Sequence, residues 1–332
     1  MKPQVTHRLE THRKLRGRAV GLALAAGLML AVRMTAGEAP AERLAFMAFG
    51  DWGRDGAYFQ KDVAAQMGRV GEIIGSRFVL VLGDNFYDNG VRSVDDPKWK
   101  TSFEDIYTAP ALQRPWYVAL GNHDYHTNAQ AQLDYSRNSA RWRMPARYYS
   151  FQERVAAHTV AEFFVLDTNA FITSYRQHPE KYRGILEQDP GKQLQWLEDG
   201  LARSTAQWKI VVGHHPVYSC SPKHGDTKEL VRDLGPLLKK YGVQAYLNGH
   251  EHDLQHLTQD GIHYFCSGAA SRTRPTEHNE RTVFSLGDTG GFLAVTLSAD
   301  EMRAEFVDYT GKVVHAAVIP RVTASEPALT AK

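Results

Sequence analysis

From about residue 44, short apolar runs alternate with longer segments in which apolar and polar positions recur at helical spacing. "LAFMAFG", "FVLVLGD" and "WYVALGNHD" read as strands, with helices predicted between them at Ala57 to Gly75 and Trp99 to Thr108. A polar, aromatic stretch at Tyr135 to Tyr149 interrupts the order. It resumes with "AEFFVLDT", a helix at Lys192 to Arg203, "WKIVVGHH", a helix at Lys228 to Tyr241, and "AYLNGHEH". This β-α-β-α order predicts an α/β fold in which helices pack on the outer face of a sheet. The carboxyl third changes character: "GIHYFCSGA", "GFLAVTLS", "EMRAEFVDYT" and "KVVHAAVI" predict antiparallel strands, with turns at Asp260-Gly261 and Thr310-Gly311. No Pro/Ser linker and no repeat divides the chain. One domain of two packed sheets flanked by helices is expected over residues 42–320, followed by a flexible tail at 321–332.

The amino terminus follows a different pattern. Residues 1–18 hold six Lys or Arg and one acid, and residues 19–32, "AVGLALAAGLMLAV", carry no charge. That apolar run is short of the roughly 20 residues a membrane-spanning helix needs, but it suits the core of a secretory signal. Small residues at Ala36, Ala39 and Ala41 place cleavage near residue 41, so 1–41 reads as a signal peptide and export to a periplasm or the medium is expected; an uncleaved anchor is the alternative. The whole chain has 39 Lys and Arg against 37 Asp and Glu, whereas beyond residue 41 the balance is 32 against 35. The basic excess therefore belongs to the targeting segment, and no sustained basic face argues for nucleic acid. Cys220 and Cys266 are the two cysteines; export would permit them to pair, and the sequence leaves their state open.

Chemistry gathers where the chain leaves each strand. The exits read Gly50-Asp51-Trp52-Gly53, Gly83-Asp84-Asn85-Phe86-Tyr87, Gly121-Asn122-His123-Asp124, Gly213-His214-His215-Pro216 and Gly249-His250-Glu251-His252. Each alone is ordinary turn or cap chemistry. In an open α/β sheet, however, the carboxyl ends of the strands converge on the functional crevice, which would bring five such exits together. Asp51, Asp84, Tyr87, Asn122, His214, His250 and His252 would then suffice for two metal ions, bridged by Asp84, at the roughly 3.5–4 Å separation of two-metal hydrolases. A phenol of pKa near 10 is a poor ligand for a divalent ion, so Tyr87 points to Fe(III) in one position. Two carboxylates and a phenolate against Fe(III), a divalent partner and a bridging hydroxide leave one net positive charge for a phosphate dianion. A trivalent ion also keeps hydroxide available below neutral pH, so activity in acid is expected.

In this order, Asp51-x-Gly53, Gly83-Asp84-x-x-Tyr87, Gly121-Asn122-His123-Asp124, Val212-Gly213-His214 and Gly249-His250-x-His252 resemble the motifs of the purple acid phosphatases, above all the small tartrate-resistant enzymes of the mammalian type. The similarity runs from about residue 44 to 320 and includes "YSRNSARWRMPARYY" at 135–149. It implies a four-layer α/β/β/α sandwich without an added amino-terminal β-domain. It further implies an acid phosphatase that hydrolyses phosphate monoesters with a hydroxide nucleophile and releases inorganic phosphate. Asp51, Asp84, Tyr87 and His252 would hold Fe(III), and Asp84, Asn122, His214 and His250 a divalent Fe or Zn. His123, and His224 in "SPKHG", match the substrate-contacting histidine pair of that family, suited to orient phosphate or protonate the leaving alkoxide. The disulfide of the mammalian enzymes has no evident counterpart, because Cys220 and Cys266 sit elsewhere.

Three other readings make contrasting demands. "CSGAASR", Cys266 to Arg272, has the Cys-x5-Arg spacing of thiolate phosphatases, which requires a helix to begin directly after the loop. A metal-dependent phosphodiesterase or nucleotide pyrophosphatase would use most of the same ligands. A non-hydrolytic iron-binding or redox protein would need the ligands but not His123 and His224.

Overall fold

In the computed structural model, which describes residues 42–321, alternate side chains of the first strands enter two separate cores. Strands β1 (Leu44–Phe49) and β2 (Phe78–Leu82) are buried throughout. Leu44, Phe46, Ala48, Phe78, Leu80 and Leu82 fill one core, while Met47, Phe49, Val79 and Val81 fill the other. Successive strand residues point to opposite faces, so a continuous apolar run demands a covering layer on each side. The residues read as a signal peptide, 1–41, and residues 322–332 of the expected tail lie outside the described part. Arg321 is still held, its backbone N–H donating to the Asp300 carbonyl.

The remaining strands are β3 (Trp116–Ala119), β4 (Trp142–Arg143), β5 (Tyr149–Ala156), β6 (Thr159–Val165), β7 (Trp208–Val212), β8 (Ala245–Asn248), β9 (Leu254–Gln259), β10 (Ile262–Ser267), β11 (Thr282–Leu286), β12 (Gly291–Leu297), β13 (Glu301–Asp308) and β14 (Val313–Pro320). They form two seven-stranded sheets, ordered β14-β13-β12-β1-β2-β3-β4 and β11-β9-β10-β8-β7-β6-β5. Strands β1 to β4 run parallel, as do β6, β7, β8 and β10, and antiparallel strands complete both sheets. Between the sheets, Phe46 and Phe78 stack at 5.0 Å and both meet Phe163 of the second sheet edge-on. Val63, Ala64 and Met67 of helix α1 (Gln60–Ile74) cover the outer face of the first sheet. After the short helices α2 (Gln130–Tyr135) and α3 (Thr173–Arg176), the outer face of the second sheet is covered by α4 (Pro190–Arg203), α5 (Lys228–Asp233) and α6 (Gly235–Lys240), through Leu197, Leu201, Leu230 and Leu238. The four layers are thus helix, sheet, sheet, helix.

Local chemistry sets the helix boundaries. Gly75, at φ 66°, closes α1 by donating to the Gly71 and Glu72 carbonyls. The Asp189 side chain accepts from Lys192 N at the start of α4, where Pro190 occupies the first turn. The single helix expected at Lys228 to Tyr241 is two, because Pro236 has no N–H to donate and belongs in a first turn. The helix expected at Trp99 to Thr108 is a wider π-helical turn at Trp99–Glu104, which sets both Trp99 and Phe103 against Trp142. Among the described residues, no helix is long and apolar enough to cross a membrane.

One link between the sheets is polar. On β9, His256 lies between His263 of β10 (Nε2 to Nδ1, 2.9 Å) and His315 of β14 (Nδ1 to Nε2, 3.0 Å). Phe265 stacks on His256 and Phe284 on His315. Burial first, then the two neighbouring imidazoles, brings His256 down to about 3. The unfolded chain takes up this proton near pH 6.5, whereas the fold refuses it until about 3. The associated stability is therefore complete above 6.5 and is lost as pH falls toward 3. Between pH 7 and 4.5, the urea-unfolding free energy of His256→Gln should fall less than that of the wild type, by roughly 1–3 kcal/mol.

Candidate metal centre

Both sheets present carboxyl ends of parallel strands to one edge, and the chain turns there in the same way five times. Asp51, Asp84, His214 and His250 each lie two residues beyond β1, β2, β7 and β8, and Asn122 lies three beyond β3, every one behind a glycine. Crowding explains the glycine at two of these turns. A Cβ on Gly121 would lie 2.1 Å from Asp84 N, and one on Gly249 would lie 2.5 Å from Asp51 Oδ2. Asp51, Asp84 and His250 themselves adopt left-handed backbone, at φ 61°, 50° and 72°. Such conformations cost roughly 1 kcal/mol or more each and persist only where the surroundings impose them.

All seven side chains named as metal donors face one another. The Tyr87 hydroxyl lies 2.9 Å from Asp51 Oδ1, 2.8 Å from Asp84 Oδ2 and 3.1 Å from His252 Nε2. His214 Nε2 lies 3.5 Å from the same Asp84 oxygen, 3.2 Å from Asn122 Oδ1 and 3.2 Å from His250 Nδ1. The donors therefore form two groups that share Asp84 Oδ2: Asp51, Tyr87 and His252 on one side, Asn122, His214 and His250 on the other.

Hydrogen bonds alone cannot satisfy this arrangement. Tyr87 has one proton for two carboxylate oxygens, with His252 Nε2 beside them. Nδ1 of His214 donates to the Leu82 carbonyl at 2.8 Å, which leaves Nε2 as the ring position that faces the Asn122 and Asp84 oxygens. Acceptors facing acceptors call for cations, and carboxylate, phenol, amide and imidazole suit hard or borderline metals. The site's field agrees. Burial works against charge on His214, yet Asp84 and then Asp51 push it up to about 9, a proton standing in for the cation. Burial would raise Asp84, but the His214 and His123 imidazoles hold it well below the usual carboxylate range. Burial, then Asp51 and Asp84, push the Tyr87 phenol well above its ordinary value, so only a strongly polarising cation would ionise it. The residues fit a metal pair.

His123 and His224 flank the donors. His123 donates its backbone N–H to Asp84 Oδ1 at 2.8 Å, and its Nε2 lies 3.9 Å from Asp84 Oδ2. His224 stacks on His250 with ring centroids 4.3 Å apart. Its loop is pinned by Asp226, which accepts from Ser219 N at 2.9 Å and from Arg281 at 2.8 Å.

Several supporting groups gave no signal in the sequence. Asp124 ties the loops after β2 and β3 together by accepting from the Asn85, Phe86 and Gly121 N–H groups and from Gln132 Nε2. Burial, then Asp84, pushes its carboxyl up to about 7. His215 stands beside His214 and His250, but Thr168 Oγ1 and Tyr175 OH engage its two ring nitrogens at 2.9 and 3.0 Å, so it forms a wall of the site. The Arg54 guanidinium lies 3.5 Å from the centroid of the Tyr87 ring. Exits that repeat Gly-plus-ligand were a usable cue; these contacts arise from remote segments and leave none.

The thiolate reading does not survive. Cys266 is buried, its Sγ faces the Gly249 and Glu251 carbonyls at 3.4 Å, and burial pushes the thiol well above its usual range. The chain after it enters no helix before β11. Cys220 and Cys266 are both free thiols.

Residues 44–254 match the calcineurin-like phosphoesterase family profile, which defines the class. Within that class the similarity narrows sharply. The chain is 40% identical over 287 residues to purple acid phosphatase 4 of Arabidopsis thaliana, covering 83% of each protein, and 37% identical to human tartrate-resistant acid phosphatase type 5, covering 86% of this chain and 93% of that one. It belongs to the purple acid phosphatases. Among solved structures, the fold matches one described as GAP50, the anchor in the inner membrane complex of Plasmodium (TM-score 0.75, 26% identity, covering 85% of this chain and 90% of that one). It also matches purple acid phosphatase PPD1 from yellow lupin seeds (TM-score 0.62, 16% identity, covering 85% and 54%).

The close approach of Gly121 to Asp84 makes a direct prediction. Gly121→Ala should displace Asp84 and lower bound metal per chain at least severalfold, measured by elemental analysis, while circular dichroism shows a folded protein.

Proposed function

We propose that the chain is an acid phosphatase that hydrolyses phosphate monoesters at two metal ions. Asp51, Asp84, Tyr87 and His252 would hold Fe(III), and Asp84, Asn122, His214 and His250 would hold Fe(II) or Zn(II). The observation that carries this reading is the single Asp84 oxygen within reach of both donor groups. The cation pair, when bound, supplies the acidity that turns water into a nucleophile and the charge that offsets the phosphoryl oxygens.

The protein's own groups do the rest. Asp84 is oriented through Oδ1 by the His123 N–H, which leaves Oδ2 to be shared. The Leu82 carbonyl fixes the His214 tautomer, and burial keeps His250 well below the ordinary imidazole range, so that one nitrogen of its neutral ring keeps a lone pair. Arg54, over the face of Tyr87, favours an ionised ring electrostatically. His123 orients phosphate oxygens, and His224 gives a proton to the leaving alkoxide, a role open to an imidazole in acid. Export, expected from residues 1–41, belongs to the same proposal.

Fold alone does not imply hydrolysis, since one neighbour is described as an anchor. Metal analysis with the visible spectrum tests the reading. Two ions per chain, including iron, should accompany a phenolate-to-iron charge-transfer band that disappears in Tyr87→Phe, together with faster turnover of nitrophenyl phosphate than of its bis-nitrophenyl diester at pH 5. A colourless protein carrying only zinc or manganese, and preferring the diester, would replace this reading with the diesterase. Iron bound without turnover would replace it with the non-hydrolytic protein.

A further inference from the structure

Glu251 lies between His250 and His252, fully buried, and among the described residues neither of its carboxylate oxygens accepts a conventional hydrogen bond. A buried carboxylate without partners is costly and uncommon in a native fold. Its backbone is fixed: the N–H donates to Gly249 O at 2.9 Å, and the carbonyl receives the Cys266 thiol. Among the described residues, the one basic group paired with the side chain is His224, whose Nδ1 lies 3.3 Å from Oε2. His224 is 34% exposed while the carboxylate is wholly enclosed, so the contact joins the floor of the site to its rim.

Two constraints therefore act on one imidazole. The stack on His250, at 4.3 Å and 27° between planes, sets the plane of the ring, and the Glu251 carboxylate lies against its Nδ1 edge at 3.3 Å, within ion-pair range. What remains is the Nε2 edge, which no protein group engages among the described residues.

We propose that Glu251 is the positioning residue of His224: its carboxylate holds a proton on Nδ1, so that the proton exchanged with substrate sits on Nε2. The inference rests on the phosphatase reading above and adds a buried carboxylate to it. When the ester P–O bond breaks, its electron pair goes to the leaving oxygen, which takes the proton from Nε2. The ring becomes neutral with Nδ1–H still on Glu251. The attacking water contributes its oxygen and one proton to phosphate, and its second proton, released to solvent, balances the solvent proton that reloads Nε2. Carboxylates that fix a catalytic histidine's tautomer in this way are worth orders of magnitude elsewhere.

The distinguishing readout is the leaving group. An alkoxide needs the proton, whereas nitrophenolate departs largely without it. In Glu251→Gln with wild-type metal content, kcat for a simple alkyl phosphate should fall at least about tenfold further than kcat for nitrophenyl phosphate. Glu251→Asp, which keeps the charge on a shorter stem, should recover part of the difference. In a His224→Asn background, Glu251→Gln should add nothing. Equal losses on both substrates, or losses that add to those of His224→Asn, would overturn the proposal. Should Glu251→Gln fail to fold, the same substrate contrast is read from Glu251→Asp, and an equal loss there overturns it as well. A wild-type protein that loads metal but turns over neither ester would overturn the phosphatase reading and this proposal with it. An active wild type with leaving-group-independent variants overturns this proposal alone.

Discussion

Electron-pair donors aimed at one another hold this molecule's functional edge in tension. Two groups of buried oxygen and nitrogen atoms share a single carboxylate oxygen of Asp84, and their lone pairs outnumber the protons present. In water each would be solvated, whereas six of the seven donors are at 0–8% exposure and His250 is half-buried. Positive charge resolves the arrangement, and the Asp84 and Asp51 carboxylates raise the affinity of His214 for a proton against the cost of burial. The rest of the fold serves to keep these atoms from separating.

The means of confinement are distributed. Glycine ahead of five of the seven donors lets the turns after the strands approach within contact distance, and left-handed backbone at Asp51, Asp84 and His250 aims the side chains inward. Three strained residues cost a few kcal/mol together, a large part of the net stability of an ordinary domain. Two apolar cores on either side of the first sheet, with the aromatic cluster around Trp52, offset that cost by burial. Asp124 adds a polar brace, drawing three backbone N–H groups from two loops onto one carboxyl. Where stability is spent on geometry in this way, the geometry serves function.

Around the donors lies a second layer whose members differ in kind. His215 is fully engaged by Thr168 and Tyr175 and acts as a wall. Arg54 faces the ring of Tyr87, and Glu251 faces a histidine at the rim. Each acts through a neighbour, which is why none belongs to a motif of its own.

The alternation of strands and helices, the two-sheet architecture and the side chains that the strand exits bring to one edge were legible in the linear sequence, because apolar runs and the residue at each strand exit are local properties. Boundaries were less so: Pro236 divided one expected helix in two, and β9 was hidden because its buried positions Gln255 and His256 are polar. Asp124, His215, Arg54 and Glu251 were not legible as working parts, since Asp124 looks like turn chemistry and Glu251 like a spacer between two histidines. Their roles depend on distances between segments far apart in the chain: 39 residues separate Asp124 from Asn85, 33 separate Arg54 from Tyr87, and 27 separate His224 from Glu251. Residue type can be read along a line, but whether a carboxylate meets a cation, a proton or nothing is decided only when the chain folds and the water leaves.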